Sequence, residues 1–144
     1  ATSKAVNNGY IINSPDGVGT IHFENIPNNC RITMEIQPVG NSEDYGLYLH
    51  SNDDASDGYR LSFSPGNKTI SLGNTSIAAV DGLNKTIKLD IILKDDIIDV
   101  SIDNRRCIVN RMPEVKNNFL WLFAKHGQIK FQSVTISKLA ENTQ

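Results

Sequence analysis

The chain has 144 residues, a formal net charge of −2 and 21% charged residues, enough length for one domain with a sizeable core. Its basic residues are scattered and form no Lys/Arg block, which argues against nucleic acid or an anionic membrane as the main partner. No apolar run approaches the roughly 20 residues needed to span a bilayer. The small polar ends, ATSKAVNNG and AENTQ, read as linker remnants or frayed termini over about 1–8 and 140–144. The lack of a signal peptide fits a mature protein or an excised domain.

From the N-terminus, Tyr10–Ile12 is a short strand candidate closed by Ser14-Pro15-Asp16-Gly17. Gly19–Glu24 alternates, with Ile21 and Phe23 on one face and His22 and Glu24 on the other. After the turn Pro27-Asn28-Asn29, Arg31–Gln37 places Ile32, Met34 and Ile36 inward and Thr33, Glu35 and Gln37 outward. Pro38 and Gly40 end it. The outward Glu35 is counted among the candidate ligand-binding residues. Cys30 continues the inward parity, so a packed thiol is expected there rather than a long-range bridge to Cys107.

The stretch Glu43–Gly73 organises the rest. In Gly46–Ser51, Leu47 and Leu49 alternate with Tyr48 and His50; in Tyr59–Ser64, Tyr59, Leu61 and Phe63 alternate with Arg60, Ser62 and Ser64. With the leucines and Phe63 in the core, Tyr48, His50, Arg60 and Ser62 share the opposite face. Between them runs the acidic loop Ser51–Gly58, carrying Asp53, Asp54 and Asp57. A polar sheet face beside an acidic loop suits a polyhydroxy ligand. A bare solvent-facing sheet alternates in the same way.

Ser64-Pro65-Gly66-Asn67 has hairpin chemistry, with Pro early and Gly where positive φ is needed. Ile70 and Leu72 continue the core face. Ile87–Leu93 and Ile97–Ile102 flank Lys94-Asp95-Asp96 as a second hairpin, and Asp103-Asn104 turns the chain before Cys107–Asn110. After Pro113 and a polar loop to Asn118 come two last strands, Phe119–Lys125 and Gln128–Ser137, joined at His126-Gly127. Leu120, Leu122 and Ala124 suit the core, which sends Trp121, Phe123 and Lys125 outward. Trp121 is then either a stacking platform for sugar C–H faces or a ring covered by the N-terminal segment. About eleven short strands, frequent turns and no helical periodicity describe an all-β fold, a sandwich of two antiparallel sheets.

Motifs for catalysis are missing. There is no Gly-x-Ser-x-Gly elbow, phosphate loop or His-Glu-x-x-His. The carboxylate pair of glycoside hydrolysis has no counterpart, because the nearest run, Asp96–Asp103, contains no Glu. The acidic loop faintly suggests calcium but lacks the distal Glu of an EF-hand, and a solvated turn explains it equally. His22, His50 and His126 have no zinc-ligand spacing, so no cofactor is expected. Three Asn-x-Ser/Thr sequons read as chance in an Asn-rich chain.

Gly46-Leu47-Tyr48-Leu49-His50, followed by Asp57-Gly58-Tyr59-Arg60-Leu61-Ser62-Phe63-Ser64-Pro65, resembles the "G-L-x-L-R … G-Y-x-L-x-F-x-P" signature of concanavalin A-like sandwich domains. Such jelly rolls follow the catalytic propeller of invertase/levanase-type glycoside hydrolases or stand alone as fructan-binding modules. Ile102-Asp103-Asn104-Arg105-Arg106 resembles their "V-D-N" hairpin. Leu120–Gly127 with Ile129–Ile136 resembles their closing "G-L-F-V-x-x-G-x-A-x-F-x-x-V-x-I". The likeness covers roughly Phe23 to Leu139. His50 stands where the pattern usually has Arg, and Trp121 where it has a small residue. No propeller motif such as "N-D-P-N-G" occurs.

The resemblance implies a non-catalytic module that binds a carbohydrate polymer or oligosaccharide, tethered to a glycosidase catalytic domain, in a secreted, extracellular or cell-surface setting. Arg60 with Asp53 and Asp57 would hold sugar hydroxyls, and Tyr48, Tyr59 or Trp121 would supply stacking. Two other readings stay open: a structural sandwich domain packed on a glycosidase, and a laminin G-like adhesion module.

Overall fold

The computed structural model describes residues 2–6, 9–52, 58–111 and 118–139. Eleven strands and no helix occur among them: β1 (Thr2–Val6), β2 (Gly9–Phe23), β3 (Cys30–Val39), β4 (Asp44–Ser51), β5 (Tyr59–Ser64), β6 (Thr69–Leu72), β7 (Thr75–Ile77), β8 (Ile87–Lys94), β9 (Ile97–Ile102), β10 (Arg106–Arg111) and β11 (Phe119–Lys138). All pairings are antiparallel, along the path β10-β9-β8-β3-β11-β4-β5-β6-β7, with β2 joining β11 and β1 joining β2.

This path becomes a sandwich because two long strands bend. The first half of β11 pairs with β4 and the second half with β3, while β2 runs beside both. The bend in β11 lies between Lys125 and Gly127, where His126 takes a left-handed φ of 50°. β2 bends alongside at Ser14, whose buried hydroxyl donates to Ala124 O at 2.7 Å and lies 3.3 Å from Gly127 O. The front sheet is therefore β7-β6-β5-β4 with the first half of β11 and the second half of β2. The back sheet is β10-β9-β8-β3 with the second half of β11, the first half of β2 and β1. Asn110 Nδ2 donates to Leu72 O at 2.8 Å, tying β10 to β6 on the far side.

The expected parities build the core. Leu47, Leu49, Leu61, Phe63, Ile70 and Leu72 from the front meet Cys30, Ile32, Met34, Ile36, Ile91 and Val100 from the back, all buried. Tyr45 stacks on Phe63 with centroids 5.2 Å apart and donates its hydroxyl to Leu83 O at 2.8 Å. Cys30 and Cys107 are both free thiols, Cys30 buried and Cys107 exposed. Burial pushes the Cys30 thiol up to about 11.

Four local readings of the chain need correction. Thr2–Val6, expected to be loose, is a strand because β2 offers it an edge. Ser14-Pro15-Asp16-Gly17 is no turn: β2 runs through it, and Pro15 falls in a gap of the β11 register where no N–H is needed. The two last strands are one. At the β5–β6 hairpin the left-handed residue is Lys68 (φ 53°) rather than Gly66. The expected strand number holds only because two mergers offset two strands the reading missed, β1 and β7.

Candidate functional site

The register of the front sheet sets its outer face in rows that run across the strands. His22, Trp121, Tyr48 and Arg60 form one, on β2, β11, β4 and β5. Beside it run Thr20, Phe123, Gly46, Ser62 and Ser71, and next Val18, Lys125 and Asp44. The face thus grades from rings to hydroxyls across the sheet.

Gly46 shapes its centre. At φ 156°, with a Cβ position only 1.9 Å from Leu61 O, no other residue fits. The space above Gly46 lets Arg60 lie over the Phe123 ring, its Cζ 5.0 Å from that centroid and 5.9 Å from the Tyr48 centroid. Tyr48 and Phe123 lie 5.2 Å apart at 48°. Phe123, though on the outward parity, is consequently 1% exposed. The Arg60 side chain stays 44% exposed, with only a loose 3.9 Å approach to Asp44. A guanidinium set beside rings, with no close carboxylate partner among the described residues, has donors to offer a ligand.

Trp121 is half-buried. Its indole Nε1 donates to Asn52 O at 2.8 Å, and its ring lies 4.7 Å from that of His22, which itself lies 5.7 Å from Phe119. β2 runs beside Trp121, and the residue stays partly exposed. At the other end of the face, Glu43 accepts from Lys125 Nζ at 3.2 Å and pairs with His126 Nδ1 at 2.5 Å. These bonds, Lys125 first, hold its carboxyl below the usual carboxylate range.

The structure brings Tyr48, Arg60 and Trp121 together, and parts other candidates from them. His50, expected beside Tyr48, is 4% exposed, because a left-handed φ of 50° breaks the alternation and turns it and Ser51 inward. Tyr59 pairs with Leu49 on the core side and packs against the core. Glu35 stands on the outer face of the back sheet. Asp53 and Asp57, with the rest of the acidic loop's aspartates, lie outside the described residues. Among the described residues no cluster of His, Cys, Asp or Glu could hold a metal. Asp44, His22 and Gly46 were not singled out. His22 was legible as outward, but its place beside Trp121 depends on a pairing between strands about a hundred residues apart.

No known family profile matches the sequence, and no curated protein does. Solved structures do. The chain is similar to carbohydrate-binding module CBM66 from Bacillus subtilis (TM-score 0.78, 17% identity, 95% of this chain on 91% of that one). It is also similar to a β-fructofuranosidase from Aspergillus kawachii (TM-score 0.73, 15% identity, 98% of this chain but 28% of that one). A galectin from Caenorhabditis elegans matches at TM-score 0.61 and 13% identity, over 88% of this chain and 95% of that one. At these identities the likeness defines the fold alone: the chain is an all-β sandwich of two antiparallel sheets, similar to the sandwiches of this carbohydrate-binding module, this β-fructofuranosidase and this galectin.

Proposed function

We propose that this chain is a non-catalytic carbohydrate-binding module whose site is the front-sheet face around Tyr48, Arg60 and Trp121, with Ser62 and Asp44 at its rim. The observation that carries the reading is Arg60, its Cζ 5.0 Å from the Phe123 centroid and its side chain 44% exposed, beside two aromatic rings. Such a surface matches a sugar, which offers a C–H face for stacking and vicinal hydroxyls for a planar donor fork. Fructan is the proposed polymer class, supported by the signature at 46–65 and by the likeness to a β-fructofuranosidase. The module would act outside the cell, tethered to a glycosidase, by raising the local concentration of polymer around it.

A purely structural domain packed on an enzyme calls for exposed apolar surface at Trp121 and Phe123. Phe123 is instead covered by Arg60 and Tyr48, which supports binding. The test is calorimetric titration of the pure protein with levan, inulin and a β-glucan, with reducing-sugar release followed in parallel. Saturable binding to levan or inulin without hydrolysis is expected. Absence of binding to all three, or release of sugar, overturns the reading.

A further inference from the structure

Glu35, parted from the front face, lies in a second concavity. A groove of about 320 Å³ crosses the outer face of the back sheet, between β3, β8 and β9. Its floor is built of short hydroxyl side chains, because register puts Thr33 beside Asp90 and Asp90 beside Ser101. One flank is opened by a bulge in β11 between Gln132 and Thr135, where Ser133 takes a left-handed φ of 54°. Bulges of this kind interrupt a ladder and re-aim side chains.

The walls are charged and balanced. Arg31 donates through Nε and Nη2 to the two oxygens of Asp90, at 2.9 and 2.6 Å, a bidentate pair. Glu35 and Lys88 sit opposite one another in the β3–β8 register. Two cations and two carboxylates therefore surround a floor of hydroxyls. An anion entering would meet Glu35 and Asp90, and a cation would meet Arg31 and Lys88. Among the described residues no aromatic ring lines the groove, so a flat apolar ligand finds no platform there. A neutral molecule with several hydroxyls finds alternating donors and acceptors, which a vicinal diol satisfies from both sides. The volume is at the lower end of small-ligand sites, and the lining residues on β3, β8 and β9 sit on paired strands that hold their directions.

We propose that this groove is a second carbohydrate site, taking a single neutral sugar residue on the opposite side of the sandwich from the first. It shares the ligand class of the front-face reading but none of its residues. One module could then hold two chains, or two ends of one polymer, and gain avidity without further contacts.

The test is an amide-resolved NMR titration of the protein with sucrose, a levan oligosaccharide, glucose and galactose, for wild type, Arg60→Ala, Glu35→Ala and Lys88→Ala. At least one sugar is expected to shift the amides of Thr33, Glu35, Asp90 and Ser101 saturably, equally in wild type and Arg60→Ala. Each groove variant should weaken that response roughly tenfold, its remaining spectrum reporting an intact fold. Shifts confined to Tyr48, Arg60 and Trp121 overturn the groove and leave the front face. Shifts confined to the groove do the reverse, and silence at both overturns both.

Discussion

On the front sheet Arg60 lies over the ring of Phe123, while on the back sheet Arg31 meets Asp90 edge-on through two hydrogen bonds. Both arginines leave the outward side of an alternating strand, and both are exposed. The neighbouring strand makes the difference. β11 offers Arg60 an aromatic face, and its donors make only a loose approach to Asp44. β8 offers Arg31 a carboxylate, which consumes its donor edge. The same side chain is thus poised to grip in one place and serves as a wall in the other.

The change expected to break the front face most is Phe123→Ala. It removes a buried ring, at a cost of about 3 kcal/mol, the low end for such truncations because Arg60 and Tyr48 can settle into the space. A lower melting temperature with loss of front-face binding is expected. A melting curve like wild type would mean that Phe123 does not anchor the face. Trp121→Ala should cost less: a stacking contact of about 0.5–1.5 kcal/mol is worth about twofold to tenfold in affinity. Unchanged affinity in titration would remove Trp121 from the site.

The bend that joins the two faces is open to a pH test. Glu43 is held below the usual carboxylate range by Lys125 and His126, so the folded state binds its proton less readily than the unfolded chain does. Its contribution to stability is present above the ordinary carboxylate range and is lost as pH falls through the depressed folded value. Melting temperatures measured from pH 7 to pH 3 should fall less steeply in Glu43→Gln than in wild type. Parallel curves would show that the clasp adds nothing. The smallest expected effect is from labelling Cys107, which is exposed beside Ser101 on the back face. A bulky thiol reagent should modify one cysteine in the native protein, sparing buried Cys30, and leave front-face affinity unchanged. Labelling that weakens front-face binding would mean the two faces are coupled.

Much of the fold was legible in the chain because alternation reports burial directly: Ile32, Met34, Ile36, Leu47, Leu61 and Phe63 all lie where their parity put them. Arg60 and Tyr48 were legible for the same reason. Three kinds of feature were not. A bend costs a strand little, so His126 and Pro15 read as ends when they are corners of β11 and β2. A single left-handed residue reverses parity, which misplaced His50. Adjacency between distant strands has no local signature, so nothing in Phe123 itself announced that a Gly46 gap and an Arg60 lid would bury it.

Arg60→Ala, titrated with levan or inulin beside a melting curve, tests the front site most directly. Loss of hydrogen bonds from a charged donor should lower affinity roughly ten- to a hundredfold. Loss of its contact with Phe123 should lower stability by no more than about 1 kcal/mol. Retained affinity with a clearly lowered melting temperature would contradict the assignment and make Arg60 a structural lid.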